Sequence, residues 1–264
     1  MNALGAVLAV VVGISMGLLG AGGSVLTVPI FVYVLGVAPK PAIAMSLGVV
    51  GATALVAMLT RLRGTSVSFR VAAVFGPATM VGAFFGAYLA TLIPGRLQLV
   101  GFGLVLLTSA VMILRSARAE RVAPPAEASG GQKMDAAMAV LLVTLGLSVG
   151  VLTAVIGVGG GFIIVPALVL IARLPMRLAV GTSLVIIAMN ALSGFAGYLG
   201  RIEIDWTLVA TFTLLAAGGT VVGSFWSDRV PQARLKQGFA VMLILVAIYV
   251  LYRTISLDLA FGTA

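Results

Sequence analysis

The chain has 264 residues, 61% of them hydrophobic and only 9% charged, with a mean hydropathy of +1.24, far from the roughly 45–50% apolar and 25% charged usage of a soluble domain. It reads as an all-α polytopic membrane protein, because in hydrocarbon each helix must satisfy its own backbone hydrogen bonds. The absence of Cys and His removes disulfides, thiolate ligands and imidazole bases, and with them the usual routes to zinc, haem and Ser-His chemistry.

In chain order, an apolar stretch at 3–37 is interrupted by Gly20, Gly22 and Gly23, and apolar runs follow at 42–60, 69–92 and 97–114. No basic region or small-residue cleavage site precedes the first run, which is therefore expected to belong to the mature protein. The segment RSARAERVAPPAEASGGQKMD at 115–135 is rich in Pro, Ala, Gly and charge, as solvated linkers are. A second interrupted stretch at 137–172 and runs at 178–200, 207–226 and 237–252 follow. The pieces after the glycines, Ser24 to Val37 and Gly161 to Ala172, would be only about 18–21 Å long as helices against a hydrocarbon core of roughly 30 Å, so each is expected to be a half-helix.

The two halves are copies. GLLGAGGSVLTVPIF at 17–31 returns as AVIGVGGGFIIVPAL at 154–168, an offset of 137. The same offset carries Ser46 onto Ser183, Thr53 onto Asn190, Gly82 onto Gly219, Gly86 onto Gly223 and Pro94 onto Pro231. The division is a first transmembrane repeat at 1–114, a linker at 115–136 and a second repeat at 137–256.

The 16 Lys and Arg lie scattered through short connections, as orientation signals rather than a nucleic-acid surface. If each interrupted stretch is one broken crossing, they divide 9 to 7, which orients nothing. If each is a hairpin, whether re-entrant or crossing twice, every repeat crosses an odd number of times. One side then holds Arg61, Arg63, Arg70, Arg115, Arg118, Arg121, Lys133, Arg173, Arg177, Arg229, Arg234 and Lys236, and the other only Lys40, Arg96, Arg201 and Arg253. That 12 to 4 split satisfies the positive-inside rule with the linker in the cytoplasm and both termini outside. The expected architecture is two inverted repeats, each a glycine-broken helical hairpin followed by three transmembrane helices, the plan of many secondary transporters.

A broken helix at membrane depth is tolerated where its freed backbone groups are buried in protein or line a wet cavity. The half-helices starting near Ser24 and Gly161 would present unpaired N–H groups and the positive end of the helix dipole, and Gly20, Gly22, Gly23, Gly157, Gly159 and Gly160 permit close backbone approach, which suits an anion. The alternative is that these glycines only let helices cross closely, the role expected of Gly82, Gly86, Gly219 and Gly223. All seven acids, Glu120, Glu127, Asp135, Glu203, Asp205, Asp228 and Asp258, fall outside the proposed spans, so no carboxylate is expected to carry protons or repel anions in a path. Neutral polar groups remain: Ser46, Thr53, Thr182, Ser183, Asn190 and Ser193. Their side chains can donate to an oxyanion, or can bond their own helices and pack. Arg61, although equivalent to Tyr198, sits at a helix end and marks the interface.

The paired Gly20-Ala21-Gly22-Gly23 with Val28-Pro29 and Gly157-Val158-Gly159-Gly160 with Val165-Pro166, together with Gly181-Thr182-Ser183, resemble the sulfite exporter TauE/SafE family. The likeness covers roughly 10–252. It implies movement of small sulfur-containing anions, such as sulfite, sulfoacetate or other organosulfonates, across the cell membrane. The first half departs from the second in having Met45 for Thr182 and Thr53 for Asn190, so the halves are expected to contribute unequally.

The function expected is export of such an anion by alternating access, with an anion channel or a non-transporting accessory subunit as alternatives. An enzyme is not expected: Lys40, Lys133 and Lys236 lie in connections, away from any membrane serine. The partners are a small anionic substrate and the lipid bilayer, with no nucleic acid, metal or cofactor; the oligomeric state is left open, a homodimer included. The location is the cell (inner) membrane, multi-pass. Single cysteines placed in this cysteine-free chain should label the 115–136 linker from the cytoplasmic side only; labelling from the periplasm would overturn the topology.

Overall fold

The computed structural model describes residues 2–19, 23–61, 67–119, 136–170, 172, 174, 176–226 and 232–261, and among them there is no strand. Ten helical segments follow in order. They are α1 (Ala3–Leu19), α2 (Gly23–Val34), α3 (Pro39–Arg61), α4 (Phe69–Leu92), α5 (Gly95–Ala119), α6 (Ala136–Ile156), α7 (Gly161–Leu170), α8 (Met176–Tyr198), α9 (Trp206–Trp226) and α10 (Gln232–Phe261). Five of them, α3, α4, α6, α8 and α9, are long and apolar enough to cross a membrane. Each expected apolar run coincides with a helix. The segment assigned to the linker is partly helical, since α5 continues through Arg115 to Ala119, where Ala and Arg favour helix; residues 120–135 lie outside the described residues.

The interrupted stretches do break. Gly23, at the start of α2, lies against the backbone of Met16 and against the Val12 carbonyl in α1, so the chain has turned back on itself. In the second half α6 ends with the N–H groups of Gly157 and Val158 both bonding the Thr153 carbonyl, at 2.9 and 3.2 Å. Gly157 (φ 80°) and Gly160 (φ 77°) then take left-handed conformations that disfavour a side chain. The following helices are short: α2, 3₁₀ over Gly23–Leu26 and π over Ile30–Val34, measures about 18 Å, and α7, with 10 residues, about 15 Å. Pro29 removes an N–H from α2, and Gly36 at φ 68° closes it, with the Val37 N–H reaching the Phe31 carbonyl at 2.9 Å.

Helix contacts cross between the halves. The α1 helix packs on α9 and α6 on α4, while α3 packs on α8 and α5 on α10. Gly82 and Gly86 of α4 abut the backbones of Leu147 and Val151 in α6, and Gly219 and Gly223 of α9 abut Val10 and Ile14 in α1. Each member of the second set is the first displaced by 137 and swapped between halves. These glycines therefore serve close helix packing, as their spacing suggests, and membrane helices need such contacts because apolar burial alone does not hold them together. Between α3 and α8, a Cβ on Gly48 would lie 3.2 Å from Phe195 and one on Gly51 would lie 2.8 Å from Leu192, so the two helices run antiparallel. The crossing lies in the molecule's core, where Ile43, Leu47, Val50, Ile186, Ile187 and Ala191 are buried.

The glycine seams are directly testable. Gly82→Val and Gly219→Val should each destabilise the purified protein by about 1–3 kcal/mol or more, through backbone overlap. Gly101→Ala and Gly218→Ala, where a Cβ would meet no atom within 4 Å, should leave the melting temperature unchanged or raise it.

Candidate functional site

The break between α6 and α7, the second tip, sits at the α3–α8 crossing. A Cβ on Gly159 would overlap Val50 Cγ1 of α3 and lie 3.0 Å from Ile187 Cγ2 of α8, and Val50 and Ile187 are equivalent positions of the two halves. The tip therefore occupies the place where the halves meet. A Cβ on Gly157 would lie 2.8 Å from Ile43 on α3, and one on Gly160 would overlap the Thr153 side chain, so little more than backbone fits.

Two helices fasten this tip. The Ser46 hydroxyl on α3 is 2.6 Å from the Gly157 carbonyl and 2.7 Å from its own helix at Ile43 O, sharing one hydrogen between two acceptors. From α8, Asn190 Nδ2 donates to Thr153 Oγ1 at 2.9 Å and reaches the Gly159 carbonyl at 3.5 Å. Thr153 in turn donates to Gly150 O at 3.0 Å, which fixes the direction of the chain and the orientation of the amide. Farther along α8, the buried Tyr198 hydroxyl donates to Ala154 O at 2.9 Å.

What the tip leaves open is the chemistry. The Gly160 carbonyl accepts from the N–H groups of Ile163 and Ile164, at 2.9 and 2.8 Å, and starts α7. The N–H groups of Gly159, Gly160 and Gly161 find no acceptor among the described residues, although all three residues are buried. An unpaired buried N–H costs about 1–3 kcal/mol, so three in succession at a helix N-terminus mark a place for an anion or water. The amide oxygen of Asn190 and the hydroxyl of Thr27 in α2 are likewise buried without a partner. Among the described residues no group of His, Cys, Asp or Glu could hold a metal ion. Glu203 and Asp205 are exposed in the α8–α9 connection.

The other expected site residues divide. Ser46, Gly157, Gly159, Gly160, Gly161 and Asn190 come together at the second tip. Gly20 and Gly22 lie outside the described residues. Gly23 is packed on α1, and Ser24 beside it is buried. Thr53 donates to its own helix at Val49 O, 2.8 Å, and Ser183 to Val180 O, also 2.8 Å. Thr182 donates to Leu178 O at 2.7 Å while accepting the Ser68 N–H at 2.9 Å, which ties α8 to the start of α4. Ser193 donates to Met80 O of α4 at 2.8 Å. Sequence reasoning passed over Thr153 and Thr27. Thr153 stands four residues before Gly157 in a very apolar helix, a signal hidden by its counterpart being Met16.

Comparison with known proteins gives the same assignment over nearly the whole chain. The family model described as sulfite exporter TauE/SafE matches residues 5–250. A "Probable membrane transporter protein" of Xylella fastidiosa (strain 9a5c) is 32% identical over 92% of this chain and 92% of its own length. Proteins with that description from Bacillus subtilis (strain 168), the one called YdhB, and from Methanocaldococcus jannaschii are 25% and 24% identical, over 85% and 72% of this chain and 89% and 69% of their own lengths. No solved structure matches the chain. A match that spans residues 5–250 places the chain in the sulfite exporter TauE/SafE family.

Proposed function

We propose that the chain is a secondary transporter of the cell membrane that exports a small sulfur-containing oxyanion, such as sulfite, sulfoacetate or another organosulfonate, by alternating access. The observation that carries this reading is the run of three buried, unpaired N–H groups at Gly159–Gly161. A deprotonated oxyanion offers acceptors to all three, and the dipole of α7 favours its charge. No acid of the described spanning helices opposes it. The site is completed by Gly157, Ser46 and Asn190 and, from the first hairpin, by Gly20, Gly22, Gly23 and Ser24. Thr53, Thr182 and Ser183 are further hydroxyls that can turn from their helices toward a ligand.

Alternating access is the mode that an inverted pair of repeats would serve. Equivalent helices α3 and α8 run antiparallel, and the packing pairs exchange when the halves are swapped. Lys40, at the start of α3, bonds Thr91 O at the end of α4 at 2.7 Å, and Arg201, just past α8, stacks 5.4 Å from the Tyr88 ring centroid one turn earlier on α4. Both belong to the minority of basic residues assigned to the outer face. The direction follows from the membrane potential: a negative interior drives each anionic charge outward by roughly 2.3 kcal/mol per 100 mV.

Purified protein in proteoliposomes with an imposed potential should carry sulfite down that potential, with charge. Gly159→Val should abolish this flux while the protein still inserts, because the new side chain enters the space between Val50 and Ile187. Normal flux in that variant would make the hairpin a packing element. Ser183→Ala should weaken sulfite binding about ten- to a hundredfold, the effect of losing one hydrogen bond to a charged ligand, with little change in the melting curve.

A further inference from the structure

Asn190 is fully buried and its amide is asymmetrically engaged: Nδ2 has two acceptors, Thr153 Oγ1 and the Gly159 carbonyl, whereas Oδ1 has no partner among the described residues. The amide cannot exchange its ends without cost, because Thr153 already donates to Gly150 O and so presents a lone pair to Asn190. A buried acceptor thus stands on the residue whose amide nitrogen reaches the Gly159 carbonyl, at the same break as the three N–H groups that find no acceptor among the described residues. Backbone donors accommodate any oxyanion. An acceptor beside them favours one that still carries a hydrogen and opposes one whose every oxygen is an acceptor, since two facing lone pairs cannot bond.

Resting on the transport reading above, we infer that Asn190 Oδ1 accepts a hydrogen from the substrate, so that the site selects a monoanionic oxyanion retaining one acidic hydrogen, hydrogen sulfite among sulfur anions, over dianions and over sulfonates. The selection comes from the ligand's protonation, because nothing around Asn190 titrates near neutrality. The α6 and α7 helices contain no ionisable side chain. The α3 helix bears only Lys40 and Arg61, at its ends, α4 has Arg70 in its first turn and Tyr88 in its last, and α8 itself has Arg177 and Tyr198. The halves differ here, since the first-half counterpart Thr53 turns its hydroxyl onto its own helix.

The test compares sulfite with methanesulfonate, which has the same charge as hydrogen sulfite and no acidic hydrogen, in proteoliposomes at equal pH on both sides, a clamped potential and subtraction of protein-free vesicles. In the wild type, sulfite flux should fall by about tenfold per pH unit once the pH exceeds the loss of sulfite's second proton. Methanesulfonate flux should be at least about tenfold below that of hydrogen sulfite, the effect of one lost bond, and flat with pH. Asn190→Thr, which places the first-half residue in the second half, should bring the two anions to within about threefold of each other, with a melting curve confirming that it folds. Asn190→Ser serves if it does not. Equal wild-type fluxes, a sulfite flux that does not fall with rising pH, or selectivity retained in a folded variant would each overturn the inference while sulfite transport stands. Absence of flux for both anions would overturn the transport reading itself, and this inference with it.

Discussion

A backbone N–H buried in a membrane protein has no water to turn to, and this constraint shapes the chain. Most of it obeys by forming uninterrupted helices. At Gly157–Gly160 the helix stops at depth, and the molecule arranges other groups around the break: Ser46 takes the Gly157 carbonyl, Asn190 the Gly159 carbonyl, and Gly160 O starts α7. The carbonyls of Gly157, Gly159 and Gly160 are thus provided for, while the N–H groups of Gly159, Gly160 and Gly161 find no acceptor among the described residues. That imbalance gives the tip a positive character without any charged side chain, which suits a site passing anions through a low-dielectric interior, where a fixed cation would hold them too tightly to release.

The break can sit in the core because the glycine seams bring α1 against α9 and α6 against α4. Close packing on either flank leaves the α3–α8 pair at the centre, and their crossing flanks the tip on both sides, through Val50 and Ile187. Structure and site are coupled there: a helix shift at the crossing moves Ser46 and Asn190 relative to each other and so changes the shape of the loop they hold.

Much of this was legible in the sequence. The offset of 137 announced the duplication, and the glycines announced the breaks and the seams. The polar network was less visible, for physical reasons. A hydroxyl in an apolar helix has the same sequence signature whether it bonds a carbonyl one turn back, as Thr53 and Ser183 do, or a neighbouring element, as Ser46 does. Backbone acceptors such as Gly157 O leave no trace at all. Thr153 escaped because comparing repeats rewards what recurs, and the pairing of Thr153 with Asn190 exists in one half only. The widening of α2 into a π-turn follows Pro29, which is visible, but Pro166 at the same place in α7 sits in an ordinary α-helix.

The exchange of contacts between halves also governs how the protein is made. The α1 helix has its docking groove on α9, which is synthesised only after all the elements between them. Until then the faces of Gly13 and Gly17 that will meet Ala216 and Thr220 can meet only lipid or a chaperone. Neither half carries a complete set of packing partners, so one half alone is an unfinished molecule, whereas two halves produced as separate polypeptides hold between them every surface the other lacks.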